Sequence, residues 1–232
     1  MESPRHIRHP SGILLAVQLL GVVLYPFMED TPGGRALFGT FGLLVLAAAL
    51  WVVRRSPWLT WLGLLLALPV VILSLVNAIS PAPWLAATSA VMEAAFYFYA
   101  TGSLIAYMLQ DRFVTTDEFY AAGATFTLLA WAFAYLYTAC QILVPNSFGA
   151  QIQPGEPRTW VELLFLSFST LSSVGQGDVI PLSPMARSLV MLEQIAGVMY
   201  IVLVVSRLVA YRSLRALRER DAEDDRKKDS AS

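Results

Sequence analysis

Long apolar runs separated by short polar turns make up most of this chain. A helix that crosses a bilayer needs about 20 predominantly apolar residues. Six runs are candidates for such helices, at residues 12–27, 36–53, 58–79, 84–109, 119–144 and 185–211. With 56% hydrophobic and 14% charged residues, the composition is also too apolar for an ordinary soluble domain. The pattern therefore predicts an all-α membrane protein with six transmembrane helices.

Cationic residues flank these runs unevenly. Arg5 and Arg8 precede the first run, as in a signal peptide, but residues 24–28 offer no small-residue cleavage site, so we expect a retained anchor. Three cations fall on one side of the predicted spans, namely Arg35, Arg158 and Arg187. The others fall on the opposite side: Arg5, Arg8, Arg54, Arg55, Arg112, Arg207, Arg212, Arg215, Arg218, Arg220, Arg226, Lys227 and Lys228. Because Lys and Arg near short loops stay cytoplasmic, we expect a multi-pass protein of the cell (inner) membrane with both termini cytoplasmic.

A polar segment divides the chain into two modules. Residues 1–110 form the predicted four-helix module, 111–118 a cytoplasmic linker, 119–212 a pore domain and 213–232 a short charged tail. The fourth span has no Lys or Arg, so it lacks the charges that would move in a voltage sensor. Its single ionisable residue is Glu93, which is either a functional acid or a hydrogen-bonded group within the bundle.

A glycine-containing turn interrupts the second module. A short apolar segment from about Trp160 to Ser169 leads into residues 170–178, which read TLSSVGQGD, and the last span follows. Irregular backbone at membrane depth is tolerated only where it is buried in protein or lines a water-filled cavity. The arrangement therefore predicts a re-entrant pore helix and loop between the fifth and sixth spans.

The residues of this turn suit a cation. Left-handed dihedrals at Gly175 and Gly177 would let successive carbonyl oxygens of residues 173–177 face one axis and replace the water around an ion. Ser173 adds a hydroxyl oxygen, and Asp178 places a carboxylate at the outer mouth. The partly negative C-terminal end of the short helix also favours a cation. We therefore expect ion conduction, with no enzymatic activity and no cofactor.

The hexapeptide Ser173-Val174-Gly175-Gln176-Gly177-Asp178 resembles the potassium-channel filter signature Thr-Val-Gly-Tyr-Gly-Asp. Residues 178–189 resemble the link from filter to inner helix in bacterial members, and residues 12–211 are similar to a bacterial six-helix potassium-channel-like family. The resemblance implies K⁺ as the permeant ion, with Na⁺ as the alternative, and a hinge at Gly197. It also implies a cavity lining made by Val198, Ile201 and Val205. One filter motif per chain implies a homotetramer.

Two positions depart from the family signature. Ser173 replaces threonine and keeps the hydroxyl, whereas Gln176 replaces tyrosine and loses the aromatic ring. The resemblance implies that the side chain of residue 176 points away from the ions and wedges against the pore helix, which here offers Phe165, Leu166 and Phe168, with Ser169 as a hydrogen-bond partner. A weakly selective cation channel is therefore one alternative. A secondary transporter with a broken helix is another, although the first four spans show no second broken segment.

Several other residues have more than one interpretation. For Glu193 we favour a structural contact behind the pore helix over a cavity charge, and Gly197 is also a candidate for close helix packing. Arg212, Arg215 and Arg218 either end a membrane helix before a solvated tail or bind anionic lipid. Cys140 is expected to pack within a helix. With His6 and His9 both near the N-terminus, no catalytic or metal-ligand spacing occurs, and no nucleic-acid motif is present.

Overall fold

A computed structural model describes residues 9–24, 32–53, 60–110, 116–150 and 155–229. Helices and two short strands account for nearly all of these residues. In chain order the elements are α1 (Pro10–Leu24), α2 (Pro32–Val53), α3 (Thr60–Ile79), α4 (Pro83–Gln110), α5 (Thr116–Leu143), β1 (Phe148–Ala150), α6 (Trp160–Leu171), β2 (Val179–Pro181) and α7 (Pro184–Asp229). The structure is mostly helical, as the sequence predicts.

Two helices in the described ranges are long and apolar enough to cross a membrane: Asp117–Leu143 within α5 and Pro184–Arg207 within α7. Shorter apolar helices lie at Pro10–Leu24, Trp61–Asn77 and Trp160–Leu171. Helix α4 has sufficient length, at 28 residues, but none of its stretches is as apolar as those in Asp117–Leu143 and Pro184–Arg207. A membrane protein is supported, and the six-span count remains a prediction.

Helix α5 is the scaffold against which α1, α4, α6 and α7 all pack. Small residues make this possible, because Ala124, Ala130 and Ala134 are fully buried and let neighbouring backbones come close. Trp131 on the same helix lies edge-on to Trp160 at the start of α6, with ring centroids 5.0 Å apart. The short helix α6 is therefore held between the outer helix α5 and the last helix α7.

A two-stranded antiparallel sheet connects the segments that flank α6 and the glycine turn. Strand β1 pairs with β2 so that Phe148 lies opposite Pro181 and Ala150 opposite Val179. The pairing connects the segment that follows α5 to the segment that follows the glycine turn. The sequence analysis predicts no strands here, because three-residue strands are too short to produce a periodic pattern.

Helix α7 is longer than expected. The apolar run ends at residue 211, and the predicted tail follows, but the helix continues without a break to Asp229. Residues 212–228 contain no Gly or Pro and are rich in Arg, Leu, Ala, Glu and Lys, which are good helix formers. The helix thus includes most of the charged tail predicted at residues 213–232, as far as Asp229. Anionic-lipid binding by Arg212, Arg215 and Arg218 remains a prediction.

Part of the topology prediction falls on residues that the structure does not describe. Arg5, Arg8, Arg54, Arg55 and Arg112 lie outside the described ranges. The orientation of the chain in the membrane therefore also remains a prediction.

Candidate functional site

The N-terminal end of α6 is fixed by side-chain caps. Thr159 accepts a hydrogen bond from the amide of Glu162 at 3.3 Å, and the Glu162 carboxylate accepts one from the amide of Thr159 at 2.6 Å. Arg158 pairs with Glu162 at 3.3 Å, and its backbone exchanges hydrogen bonds with the side-chain amide of Gln141 on α5. The spacing Thr-x-x-Glu before an apolar run is a capping-box signal that could have placed this helix start from sequence.

The C-terminal end of α6 folds back on itself. The amides of Val174 and Gly175 both donate to the carbonyl oxygen of Ser169, each at 3.1 Å. The amide of Ser173 donates to the carbonyl of Thr170 at 3.0 Å. The loop is therefore attached to α6 through its N–H groups, whereas its carbonyl groups take no part in these contacts.

Left-handed backbone occurs at two alternate residues of the loop, of which one, Gly175, is predicted from the sequence. Ser173 has a φ of 59° and Gly175 a φ of 68°. Gly177 lies outside the left-handed region, so the expectation that Gly175 and Gly177 share it is wrong for Gly177. The physical reason is the fold-back onto Ser169, which requires the chain to reverse before Val174 and again before Gln176.

Most carbonyl groups of the loop are unpaired. Residues 172–178 are all exposed in the single chain. Within the described ranges, the carbonyl oxygens of Ser173, Val174, Gly175 and Gly177 accept no hydrogen bond, whereas that of Gln176 accepts one from the Ser169 hydroxyl. Exposed carbonyl oxygens that need a partner are suitable ligands for a dehydrated cation. The carbonyl oxygens of these four residues are therefore available in the single chain and that of Gln176 is not, and the ladder itself remains a prediction.

The contacts around Gln176 differ in part from those expected from the sequence. Ser169 binds the main chain of Gln176 and not its side chain, which corrects the contact anticipated from the sequence. Phe165 does lie beside the loop, since a methyl group at Gly177 would lie 3.7 Å from its Cε1 atom. Leu166 is buried, and Phe168 faces Phe126 on α5, with ring centroids 6.1 Å apart.

Helix α7 crosses the end of α6 at Gly197. A Cβ atom at this position would lie 2.4 Å from the carbonyl oxygen of Leu171 and 2.8 Å from its Cα atom. Gly197 is therefore a close-packing residue in this structure, which is the alternative raised from the sequence. The hinge role implied by the family resemblance remains a prediction.

One turn earlier on α7, Glu193 is fully buried. Its carboxyl group contacts the hydroxyl of Tyr137 on α5 and the hydroxyl of Ser167 on α6. This arrangement agrees with the structural contact behind the pore helix that the sequence analysis favours over a cavity charge.

The predicted cavity residues lie on an open face of α7. Val198, Ile201 and Val205 are 51%, 40% and 52% exposed in the single chain. Apolar side chains of this kind need lipid, another subunit or a cavity wall beside them. Other exposed large apolar residues in the described part of the same helix are Met185, Met191, Leu192, Ile195, Met199 and Val202.

Asp178 is exposed directly after the loop, as expected for an outer-mouth residue. Arg187, which lies on the same side in the predicted topology, donates to the carbonyl oxygen of Pro181 at 3.3 Å. An exposed carboxylate raises the local cation concentration, and salt screens the effect, with a Debye length of about 30 Å at 0.01 M and about 3 Å at 1 M.

We therefore expect Asp178→Asn to lower unitary conductance strongly at low ionic strength and little at high ionic strength. Single-channel recording over a series of KCl concentrations measures this, with Glu156→Gln, an exposed acid in the loop before α6, as the matched control. Equal conductance of wild type and Asp178→Asn at every salt concentration would remove Asp178 from the site.

Two acids at the start of α5 connect the modules, a role that the sequence analysis missed. The Asp117 carboxylate accepts hydrogen bonds from the amide and hydroxyl of Ser11 on α1, at 3.1 and 2.9 Å, and from the Tyr107 hydroxyl on α4 at 3.2 Å. Glu118 is paired with Arg207 on α7, N to O 2.8 Å. From the sequence alone, the position of these two acids in the first turn of α5 indicates only a favourable interaction with the helix dipole.

Removing one partner of the Glu118–Arg207 pair should destabilise the protein, since the Glu118 side chain is 5% exposed and the remaining charge would be poorly solvated. Breaking a buried pair typically costs about 3–5 kcal/mol, and partial exposure of Arg207 reduces this value. Thermal unfolding of Glu118→Gln, Arg207→Gln and the double variant checks the expectation. Additive losses in the double variant would show that the pair is not coupled.

Glu93 accepts a hydrogen bond from Ser74 on α3 at 3.3 Å, and Ser74 also lies 3.4 Å from the Ser89 hydroxyl. This geometry supports the interpretation of Glu93 as a hydrogen-bonded group between α3 and α4.

Within the described ranges, no group of three or more His, Cys, Asp and Glu side chains is arranged to hold a metal ion.

Comparison with known proteins gives two matches to channels. Residues 124–212 match a family described as an ion channel. Over 78 residues the chain is 31% identical to the inward rectifier potassium channel Kirbac3.1 of Paramagnetospirillum magnetotacticum, a match that spans 34% of this chain and 24% of that protein. No solved structure matches the chain significantly.

The family match starts within α5, includes α6 and the glycine turn, and ends within α7. It thus covers most of α5, all of α6, the glycine turn and the membrane-length part of α7. Both matches point to a channel and not to an enzyme. By this match, residues 124–212 of the chain are similar to the ion-channel family.

Proposed function

We propose that the protein is a homotetrameric cation channel that passes K⁺ down its gradient through a filter of backbone carbonyl groups at residues 173–177. The observation that carries the proposal is the set of unpaired carbonyl oxygens at Ser173, Val174, Gly175 and Gly177. They lie on an exposed loop between two membrane-length helices, where an unsatisfied carbonyl costs several kcal/mol unless water or an ion binds it.

The need for several subunits follows from the packing of α7. Within the chain, 61% of the α5 span is buried, against 22% of the α7 span. One chain also supplies one copy of the loop, whereas a filter surrounds its ion with oxygens from all sides. A ring of identical subunits supplies the missing oxygens and covers the apolar face of α7. Four copies are proposed from the family resemblance.

The charge distribution around the loop supports a cation. Residues 172–178 contain one ionisable side chain, that of Asp178, and no Lys or Arg. The carbonyl end of α6 leads directly into the loop, and the C-terminal end of a helix carries partial negative charge. K⁺ is favoured over Na⁺ by the filter-like hexapeptide, and the matched relative is named as a potassium channel.

One observation favours the alternative of a weakly selective cation channel. The carbonyl of Gln176 is held by the Ser169 hydroxyl, so the oxygen ladder is interrupted at the position where the family has tyrosine. We therefore expect Ser169→Ala to free this carbonyl and change the K⁺-to-Na⁺ permeability ratio. Ser172→Ala is the matched control, because the Ser172 hydroxyl donates to the carbonyl of Ser169 at 3.3 Å and not to the loop. Equal ratios in both variants and wild type would contradict a role for the Ser169–Gln176 contact in selectivity.

Single-channel recording of the purified protein in planar bilayers tests the class of function. A channel gives unitary current steps at a fixed K⁺ gradient, carrying far more ions than a conformational transport cycle. Macroscopic K⁺ flux without unitary steps, in a protein that is not tetrameric, would instead support the secondary transporter.

A further inference from the structure

Glu193 forms a buried polar cluster where the outer helix, pore helix and last helix meet. The residue is 0% exposed. One carboxyl oxygen, Oε2, contacts the hydroxyl of Tyr137 on α5, and the other, Oε1, contacts the hydroxyl of Ser167 on α6. The Ser167 hydroxyl also lies 2.9 Å from the carbonyl oxygen of Ala130 on α5. The cluster therefore connects three helices immediately behind the end of α6.

The number of hydrogen atoms available to this cluster favours an un-ionised carboxyl group. The cluster has three oxygen–oxygen contacts, and each needs one hydrogen atom. The hydroxyl groups of Tyr137 and Ser167 supply one hydrogen atom each, so one more is needed. An ionised carboxylate supplies none, whereas an un-ionised carboxyl group supplies the third. The carboxyl O–H of Glu193 then donates to Ser167, Ser167 donates to Ala130, and Tyr137 donates to Glu193.

The surroundings also oppose a charge. In the part of the chain that the structure describes, the ion pairs are Arg158–Glu162 and Arg207–Glu118, and Glu193 belongs to neither. Burial of an ionised carboxylate without a cationic partner is strongly unfavourable. An un-ionised acid avoids this cost and keeps every hydrogen bond.

We propose that Glu193 is an un-ionised carboxylic acid that positions the pore helix for ion selection. Glu193 binds Ser167, which lies one turn before Leu171 on α6. Gly197, which lies one turn after Glu193 on α7, packs on Leu171. These two contacts, spaced by the same number of residues on both helices, fix the last turn of α6 from which the loop emerges. The role in selectivity rests on the proposed channel function, whereas the protonation state does not.

Infrared spectroscopy of the purified protein in lipid tests the protonation state directly. We expect the spectrum of Glu193→Gln to lose a carboxylic acid C=O band that is present in wild type. In Tyr137→Phe the same band should move to higher frequency, because its carbonyl loses a hydrogen bond. Loss of carboxylate bands in place of the acid band would overturn the proposal, even if the protein conducts as expected.

The positioning role is tested by the K⁺-to-Na⁺ permeability ratio of three proteins. Glu193→Gln keeps one donor and one acceptor and should retain the wild-type ratio, whereas Glu193→Asp has the same chemistry with a shorter reach and should lose selectivity. A Glu193→Gln protein that fails to assemble, or that loses selectivity as fully as Glu193→Asp, would overturn the proposal. If wild type itself does not conduct, the channel function fails and the infrared result still decides the protonation state.

Discussion

Replacing Gly197 with alanine should abolish conduction and lower the thermal unfolding temperature. The added Cβ atom would lie 2.4 Å from the carbonyl oxygen of Leu171 and 3.0 Å from its carbonyl carbon. Both are backbone atoms, so no side-chain rotation relieves the clash, and α6 must move. Overpacking typically costs about 1–3 kcal/mol, which exceeds the roughly 1 kcal/mol that alanine gains over glycine in a helix. Because the glycine-containing loop begins next to Leu171, the displacement reaches the proposed ion site.

Gly42→Ala in α2 is the matched control for this substitution. Its added Cβ atom would make ordinary contact with the Tyr135 hydroxyl oxygen at 3.8 Å. We expect this variant to be as stable as wild type or slightly more stable, with normal currents. If Gly197 acts as a hinge alone, Gly197→Ala will change channel opening while its unfolding temperature stays at the wild-type value, which would contradict the packing account.

Gly175→Ala should remove ion selectivity with a smaller effect on stability. Gly175 has a φ of 68°, and no heavy atom lies within 4 Å of an added Cβ, so the strain comes from the backbone alone. Left-handed backbone costs an L-residue about 1–2 kcal/mol. Relief of that strain rotates the peptide groups on either side of residue 175, and with them the carbonyl oxygens proposed to bind the ion. The measurements are the permeability ratio and the tetramer content.

Gly177→Ala is the control within the same loop. Gly177 lies outside the left-handed region, and its added Cβ atom would meet Phe165 at an ordinary distance of 3.7 Å. We expect a permeability ratio closer to wild type than that of Gly175→Ala. The opposite order of effects would show that the loop geometry described here is not the conducting one.

The comparison of these two glycines shows what the sequence can and cannot predict. The hexapeptide starting at Ser173 locates the candidate filter, and the apolar runs locate α5 and α7, because both signals are local in sequence. The choice of the left-handed residue is not local, since it depends on how the loop folds back onto Ser169. Ser173, a residue with no special conformational freedom, has a φ of 59° for the same reason.

Contacts between segments that are distant in the chain also cannot be predicted from the sequence. The Glu118–Arg207 pair joins residues 89 positions apart, and Tyr137–Glu193 joins residues 56 apart. Nothing in the spacing of these residues indicates the pairing, because it follows from how α5, α6 and α7 cross. The sequence analysis favours a structural contact for Glu193 but does not identify Tyr137 and Ser167 as its partners.

The reversal potential of the purified protein tests the channel account most directly. The protein is placed in a planar bilayer between equal concentrations of KCl and NaCl, so that chloride has no gradient. We predict a reversal potential displaced far from zero in the direction of K⁺ selectivity, and a displacement close to zero for Gly175→Ala. Absence of current in the wild-type protein, or a current that follows a chloride gradient imposed in a second recording, would contradict a cation filter at residues 173–177.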